Sequence, residues 1–245
     1  MPRPPRPVCV LVALAAICGR SGQADDTGFK PLFNGKDLSG WVTPDDKSLF
    51  SVENGEIVGR ARGGLDKDKY LVTDRSYGDF DLKVKVKLKV NANQRGRNHS
   101  SGIQFRSKRT PDGAVLGPQA GIGEGYWGTL SLGPGVIDPN DRSAGKKGKS
   151  PVRKDDWNEY EIIARGNRVV ILLNGVQVAQ GMDIRRAGEN LQGVIALQLP
   201  VSAPMEVRFK DLLIKPLGGP VQDPPRTPPL QGGKRSRRAN DRNSP

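Results

Sequence analysis

Histidine and cysteine, on which much enzyme chemistry rests, are nearly missing from the body of this chain. His99 is the only histidine among 245 residues. A metal cluster built on several histidines, or a mechanism needing two of them, is thereby excluded. Both cysteines, Cys9 and Cys18, fall within residues 1–24. If that segment is cleaved off, disulfides, thiolate metal sites and cysteine nucleophiles go with it. Also absent are the Gly-x-Ser-x-Gly elbow, the phosphate-binding loop and the dinucleotide fingerprint. The apolar run from Val8 to Ile17 is too short to span a bilayer.

That run sits between Arg3 and Arg6 on one side and small residues ending at Ala24 on the other. This is the layout of a cleavable secretory signal, so residues 1–24 are expected to be a signal peptide. Ile17 precedes Cys18 where a lipoprotein signal needs a small residue. The mature chain is expected to be secreted or periplasmic, with no transmembrane segment. From Gly218 the sequence reads "GGPVQDPPRTPPLQGGKRSRRANDRNSP", rich in Pro, Gly and Arg with little to bury. Residues 218–245 therefore read as a disordered basic tail, solvated or touching anionic surfaces through "KRSRR". The net charge of +13 divides into +3 for the leader, +4 for the tail and +6 for residues 25–217. So mildly basic a core makes no case for specific nucleic-acid binding.

What remains is about 190 residues, the size of one domain, and its periodicity is that of strands. In "DFDLKVKVKLKV", Phe80, Leu82, Val84, Val86, Leu88 and Val90 alternate with charged residues. Period two means one buried and one wet face, and the lysine row discourages edge-to-edge pairing. Asn54-Gly55 and Asn174-Gly175 sit between apolar runs, the strongest short hairpin signal. "SGIQFRS", "WNEYEIIARG", "GVIALQL" and "MEVRFKDLLIK" are further strands. The reading is an all-β, two-sheet antiparallel jelly-roll sandwich, with a closed barrel as the alternative.

Three polar clusters are candidates for chemistry. In "RNHSSGIQFRS", strand alternation puts Gln104 and Arg106 on one face. They are either a solvent-facing pair or an amide and a planar cation suited to sugar hydroxyls or a developing enolate. In "GPQAGIGEGYWGTLSLG", Gln119, Glu124, Tyr126 and Trp127 offer an amide, an acid and stacking surfaces. The alternative is a glycine-rich hairpin with Trp127 in the core. Gln198 is the polar residue of "GVIALQLP", a satisfied buried amide or a site group. No pattern names a cofactor, and a divalent cation stays open.

Taken in order, "GFKPLFNGKDLSGW", "FSVENGEIVG", "YGDFDLKVKVKL", "SGIQFRS", "WNEYEIIARGNRVVILLNG" and "GVIALQLPVSAPMEVRFKDLLIKPL" resemble the 3-keto-disaccharide hydrolase family. The resemblance runs from Gly28 to Leu217. It implies a concanavalin A-like jelly roll and an extracytoplasmic enzyme that cleaves 3-keto-glycosides, with carbohydrate as partner. A ketone at C3 acidifies the hydrogen on C2, so such an enzyme needs a base there, a donor for the enolate and an acid for the leaving group. The family pattern is similar to "GYQADIGxGWWGxLYDE" and "ALQLHxGPPMEVRF". Gln119, Trp127, Gln198 and Arg106 match it. Pro118, Gly121, the run Ser131, Leu132, Gly133, and Pro200 stand where it has tyrosine, aspartate, Tyr-Asp-Glu and histidine. These departures leave Arg106 as enolate stabiliser with Glu124 or His99 as base, and an expectation of weak activity. The other hypothesis is a sandwich that binds a glycan or a protein without cleaving it.

Deleting Gly218–Pro245 separates core from tail. Binding to an insoluble polysaccharide is expected to survive in a pull-down, and its loss would assign the binding to the basic cluster.

Overall fold

The computed structural model describes residues 28–63, 65–90, 100–133, 136–137, 151–183, 191–201 and 204–218. The leader, His99 and the tail beyond Gly218 lie outside the described residues. The chain enters through two short strands, β1 (Lys30–Pro31) and β2 (Trp41–Val42). A 3-10 turn capped by the Asp46 carboxylate then leads into the hairpin of β3 (Phe50–Glu53) and β4 (Glu56–Ala61). Three long strands follow: β5 (Lys69–Tyr77), β6 (Phe80–Val90) and β7 (Ser100–Arg109). The glycine-rich region supplies β8 (Val115–Leu116), β9 (Gln119–Gly123), β10 (Leu130–Gly133) and β11 (Val136–Ile137). A meander of β12 (Asn158–Arg165), β13 (Arg168–Leu173) and β14 (Val176–Met182) precedes β15 (Gly193–Leu199) and β16 (Met205–Pro216).

The strands form two antiparallel sheets rather than a closed barrel. Sheet A runs β14-β13-β12-β6-β16-β4-β3, with β1 on β16. Sheet B runs β11-β10-β9-β7-β15-β5-β2, with β8 on β7. Their inner faces meet in one apolar core, where Phe80 of sheet A packs edge-on against Phe105 of sheet B, centroids 6.2 Å apart. This is the jelly-roll sandwich that the alternating strands predict. Both Asn-Gly pairs turn as expected, with φ of +53° and +77° at Asn54 and Gly55 and +50° and +79° at Asn174 and Gly175. Positive φ at both central positions matches the twist of the flanking strands. Among the described residues no helix is long and apolar enough to cross a membrane.

The lysine row of β6 has a different use from the one its pattern implies. β6 lies inside sheet A between β12 and β16, so the lysines guard no edge. They line the outer face, where Lys85 pairs with Asp211 at 2.8 Å and Lys89 with Glu206 at 3.1 Å. On the same face Arg60 and Arg208 interlock with Glu53, Glu56 and Glu206. Arg60, Arg208, Lys85 and Lys89 thus each meet a carboxylate on this face.

Strand β7 breaks its alternation at Arg106, whose φ is +48°. Between Gln104 and Ser107, β7 carries one more residue than the matching stretch of β15, which is a β-bulge. Phe105 and Arg106 consequently both enter the sandwich, and Arg106 is 0% exposed. Its Nε donates to the carbonyl of Gly78 at 2.8 Å and its Nη1 to that of Gly166 at 2.6 Å. Its Nη2 donates to Asp79 at 2.6 Å, and Asp79 also accepts from the Gly166 amide at 3.0 Å. One guanidinium thus ties β7 of sheet B to the β5–β6 crossover between the sheets and to the β12–β13 turn of sheet A. The expectation that Arg106 shares a face with Gln104 is corrected here, because the bulge turns it to the opposite side.

Removing either partner of this pair leaves a desolvated group without its counter-charge. Arg106→Met and Asp79→Asn are each expected to lower stability by about 3 kcal/mol, seen as a fall in urea midpoint at unchanged slope.

Candidate functional site

On sheet B the inward residues are apolar: Ile103 on β7, Ala120 and Ile122 on β9, Leu197 and Leu199 on β15. Alternation therefore sends Gln104, Gln119 and Gln198 to the outer face. Register then brings them together. Gln119 lies opposite Gln104, Gln104 opposite Ala196, and Gln198 opposite Tyr70 on β5. The three amides form a directed row. Gln104 Nε2 donates to Gln119 Oε1 at 3.3 Å, and Gln119 Nε2 donates to Gln198 Oε1 at 3.0 Å. Gln198 Nε2 donates to Asp68 Oδ2 at 2.7 Å, so the row ends on a carboxylate.

Gln104, Gln198 and Tyr70 are 5%, 8% and 8% exposed. Gln104 Oε1 is buried in this row without a hydrogen-bond partner. An unmatched buried acceptor costs about 1–3 kcal/mol. Asp68 is half-buried, and its Oδ1 accepts from the Val201 amide at 2.7 Å. Its neighbours Lys67 and Lys69 are engaged elsewhere, with the Asp112 carbonyl and the Asp66 carboxylate. The Tyr70 hydroxyl lies 3.4 Å from Asp68 Oδ2. Burial, and then the Asp68 charge, push its pKa up to about 12, so it stays a proton donor at neutral pH.

Small residues make the space. A Cβ at Gly102 would collide with the Gln119 side chain, so that side chain lies where Gly102 has none. At Gly121, opposite Gly102, a Cβ would strike the Thr129 hydroxyl and come 2.6 Å from the Tyr126 carbonyl. The turn 124–129 thus folds back onto β9. Gly121 N donates to Thr129 O, Gly128 N to Gly121 O, and Trp127 N to Gly123 O. Tyr160 anchors this turn from sheet A, its hydroxyl donating to Gly121 O and accepting from Gly128 N. Burial pushes the Tyr160 phenol far up, which keeps it a neutral donor.

The structure brings together Gln104, Gln119 and Gln198 and parts them from the other expected residues. Arg106 is on the inner side, as described. Trp127 stacks on Tyr160 with centroids 6.3 Å apart and packs against the core, so its role is the structural one. Glu124 is exposed at the turn, one residue beyond β9, whose span from Gln119 to Gly123 is about 13 Å. Tyr126 is exposed on the same turn, near Gly121 and hence beside the row. Asp68 and Tyr70 were missed from sequence. "LDKDKYLV" reads as a charged approach to a strand, and only its register against β15 sets it beside Gln198. Among the positions that depart from the family pattern, Gly121 and Ser131 lie by register around this row. Pro200 follows Gln198 by two residues and precedes Val201, whose amide binds Asp68. Among the described residues no three His, Cys, Asp or Glu side chains gather as a metal shell.

Two antiparallel sheets with a polar row on one outer face define a concanavalin A-like jelly-roll domain. The sequence profile of the 3-keto-alpha-glucoside-1,2-lyase-like domain matches residues 28–215, and the chain belongs to that family. Among solved structures, the fold is similar to a candidate glycosyl hydrolase from Parabacteroides distasonis, with TM-score 0.55 and 22% identity over 78% of this chain and 95% of that one. It is also similar to carbohydrate binding module CBM66 from Bacillus subtilis, with TM-score 0.51 and 16% identity over 72% of this chain and 95% of that one. Bacillus licheniformis beta-glucanase shares the fold at TM-score 0.51 and 13% identity, over 77% of this chain and 96% of that one. The search of curated proteins gives no match.

Two measurements check this geometry. Gly121→Ala is expected to cost about 1–3 kcal/mol, because the Cβ meets backbone as well as a side chain. The raised pKa of Tyr70 means the folded chain keeps a proton that the unfolded phenol releases near 10.0. Stability from this group is complete below pH 10 and declines as pH rises toward 12. Tyr70→Phe should remove that part of the decline in urea midpoint.

Proposed function

We propose that this chain is an extracytoplasmic carbohydrate-active enzyme that binds a 3-keto-glycoside on the outer face of sheet B. It cleaves the sugar by elimination across C1 and C2, and water then adds to the product. Family membership supports the substrate class. The observation that carries the site is the row of three amides ending on a carboxylate and a phenol on the outer face of sheet B. Amides serve sugars well because each offers a donor and an acceptor in a fixed plane. The second N–H of Gln104 supplies a donor for a developing enolate oxygen. Tyr126, exposed beside Gly121, offers a ring on which a sugar face can stack. The leader's layout supports export.

Calorimetry with a 3-keto-disaccharide and its unoxidised parent tests the reading, alongside release of the aglycone. Binding of the keto sugar with release is expected, and a chain that binds neither sugar sinks the reading. Gly102→Ala should weaken binding at least tenfold, because its Cβ drives the Gln119 amide out of the row. The thermal midpoint should move by only a few degrees, since a flexible side chain yields more cheaply than backbone.

A further inference from the structure

We propose that Asp68 is the base that takes the proton from C2, and that Tyr70 is the acid that protonates the departing oxygen. This rests on the reading of sheet B as a 3-keto-glycoside site. Asp68 is the carboxylate on which the amide row converges, and both of its oxygens are held. Oδ1 accepts from the Val201 amide and Oδ2 from Gln198, each at 2.7 Å. Those bonds fix the carboxylate plane, and because the Tyr70 hydroxyl also donates to Oδ2, the lone pair left for a substrate hydrogen is on Oδ1. Among the described residues no lysine or arginine pairs with it, because Lys67 and Lys69 are engaged elsewhere. Tyr70 stands on the same face, its hydroxyl 3.4 Å from Asp68 Oδ2. Its raised pKa keeps the proton in place until an alkoxide calls for it.

The step balances within these groups. An Asp68 oxygen takes the C2 hydrogen as a proton, and the C–H pair moves through the enolate of the C3 ketone into a C1–C2 double bond. The C1–O bond breaks with its pair on the aglycone oxygen, which takes the Tyr70 proton. The Asp68 proton then passes to the Tyr70 phenolate, restoring both residues. No oxidant, reductant or metal enters the balance. The other acid weighed for this role, Glu124, lies beyond the end of β9 and outside the row.

Proton NMR in D2O separates the two roles, because loss of the C2–H signal reports the base and aglycone release reports the whole reaction. Asp68→Asn is expected to slow both at least 100-fold, within the range of general base catalysis. Keto-sugar binding measured alongside separates lost proton transfer from lost affinity. Tyr70→Phe should retain C2–H exchange while release falls. Asp68→Ala, checked for folding by its thermal transition, should regain exchange when formate is added. Exchange at the parent rate in Asp68→Asn overturns the inference and leaves the binding site standing. A parent chain that binds the keto sugar without exchange or release also overturns it. Absence of binding overturns both.

Discussion

The buried Arg106 guanidinium is the constraint to which the rest of this sandwich adjusts. Placing a full charge between two sheets is costly unless every donor is met, and the meeting groups come from the crossover between the sheets and from one turn of the opposite sheet. To reach them β7 takes an extra residue at positive φ, a conformation that a non-glycine residue adopts only under constraint. The bulge has consequences on both strands beside it. Gly193 must lack a side chain, because a Cβ there would run into the backbone of Arg106 and Ser107. The residues on either side of the bulge are locked in phase, and Gln104 is thereby held opposite Gln119 and Ala196. A residue that reads like a sugar ligand does its work two positions from the amide row, from the other face.

The two outer faces of the sandwich differ in how they settle their polar groups. On sheet A, long cations and carboxylates interlock across strands, and each guanidinium finds its acids within the face. Such a surface is solvated and self-satisfied. On sheet B, short amides replace long charges, and the glycines at 102 and 121 remove bulk. The row is buried, directional and one acceptor short of complete. Incomplete satisfaction at low exposure is expensive for a protein to keep, and it sets sheet B apart from the self-paired face of sheet A.

Much of the fold was readable because burial on one face imposes a period of two. The strand from Phe80 to Val90, the Asn-Gly turns and the strands "WNEYEIIARG" and "GVIALQL" all stand where alternation puts them. The glutamines were readable for the same reason, as polar residues at outward positions of apolar strands. Arg106 was misplaced because a bulge leaves no mark on composition: "QFRS" alternates on paper and does not in space. Trp127 was ambiguous because an indole serves a core and a sugar equally well. Only the approach of Tyr160 from the other sheet decides between them.

The sequence by itself determined the class of fold and the hairpins and named the three glutamines as candidates, since these follow from local period and turn chemistry. Their meeting in one row follows from strand register. Which carboxylate joins that row was decided only in three dimensions. Asp68 and Gln198 are 130 residues apart, and no local pattern links them. Antiparallel pairing of β5 with β15, whose register is held by residues buried on the inner face, lays one beside the other. The same long-range closure set Arg106 inside and left Glu124 beyond the end of its strand. Those placements, more than residue types, decide where a proton can move.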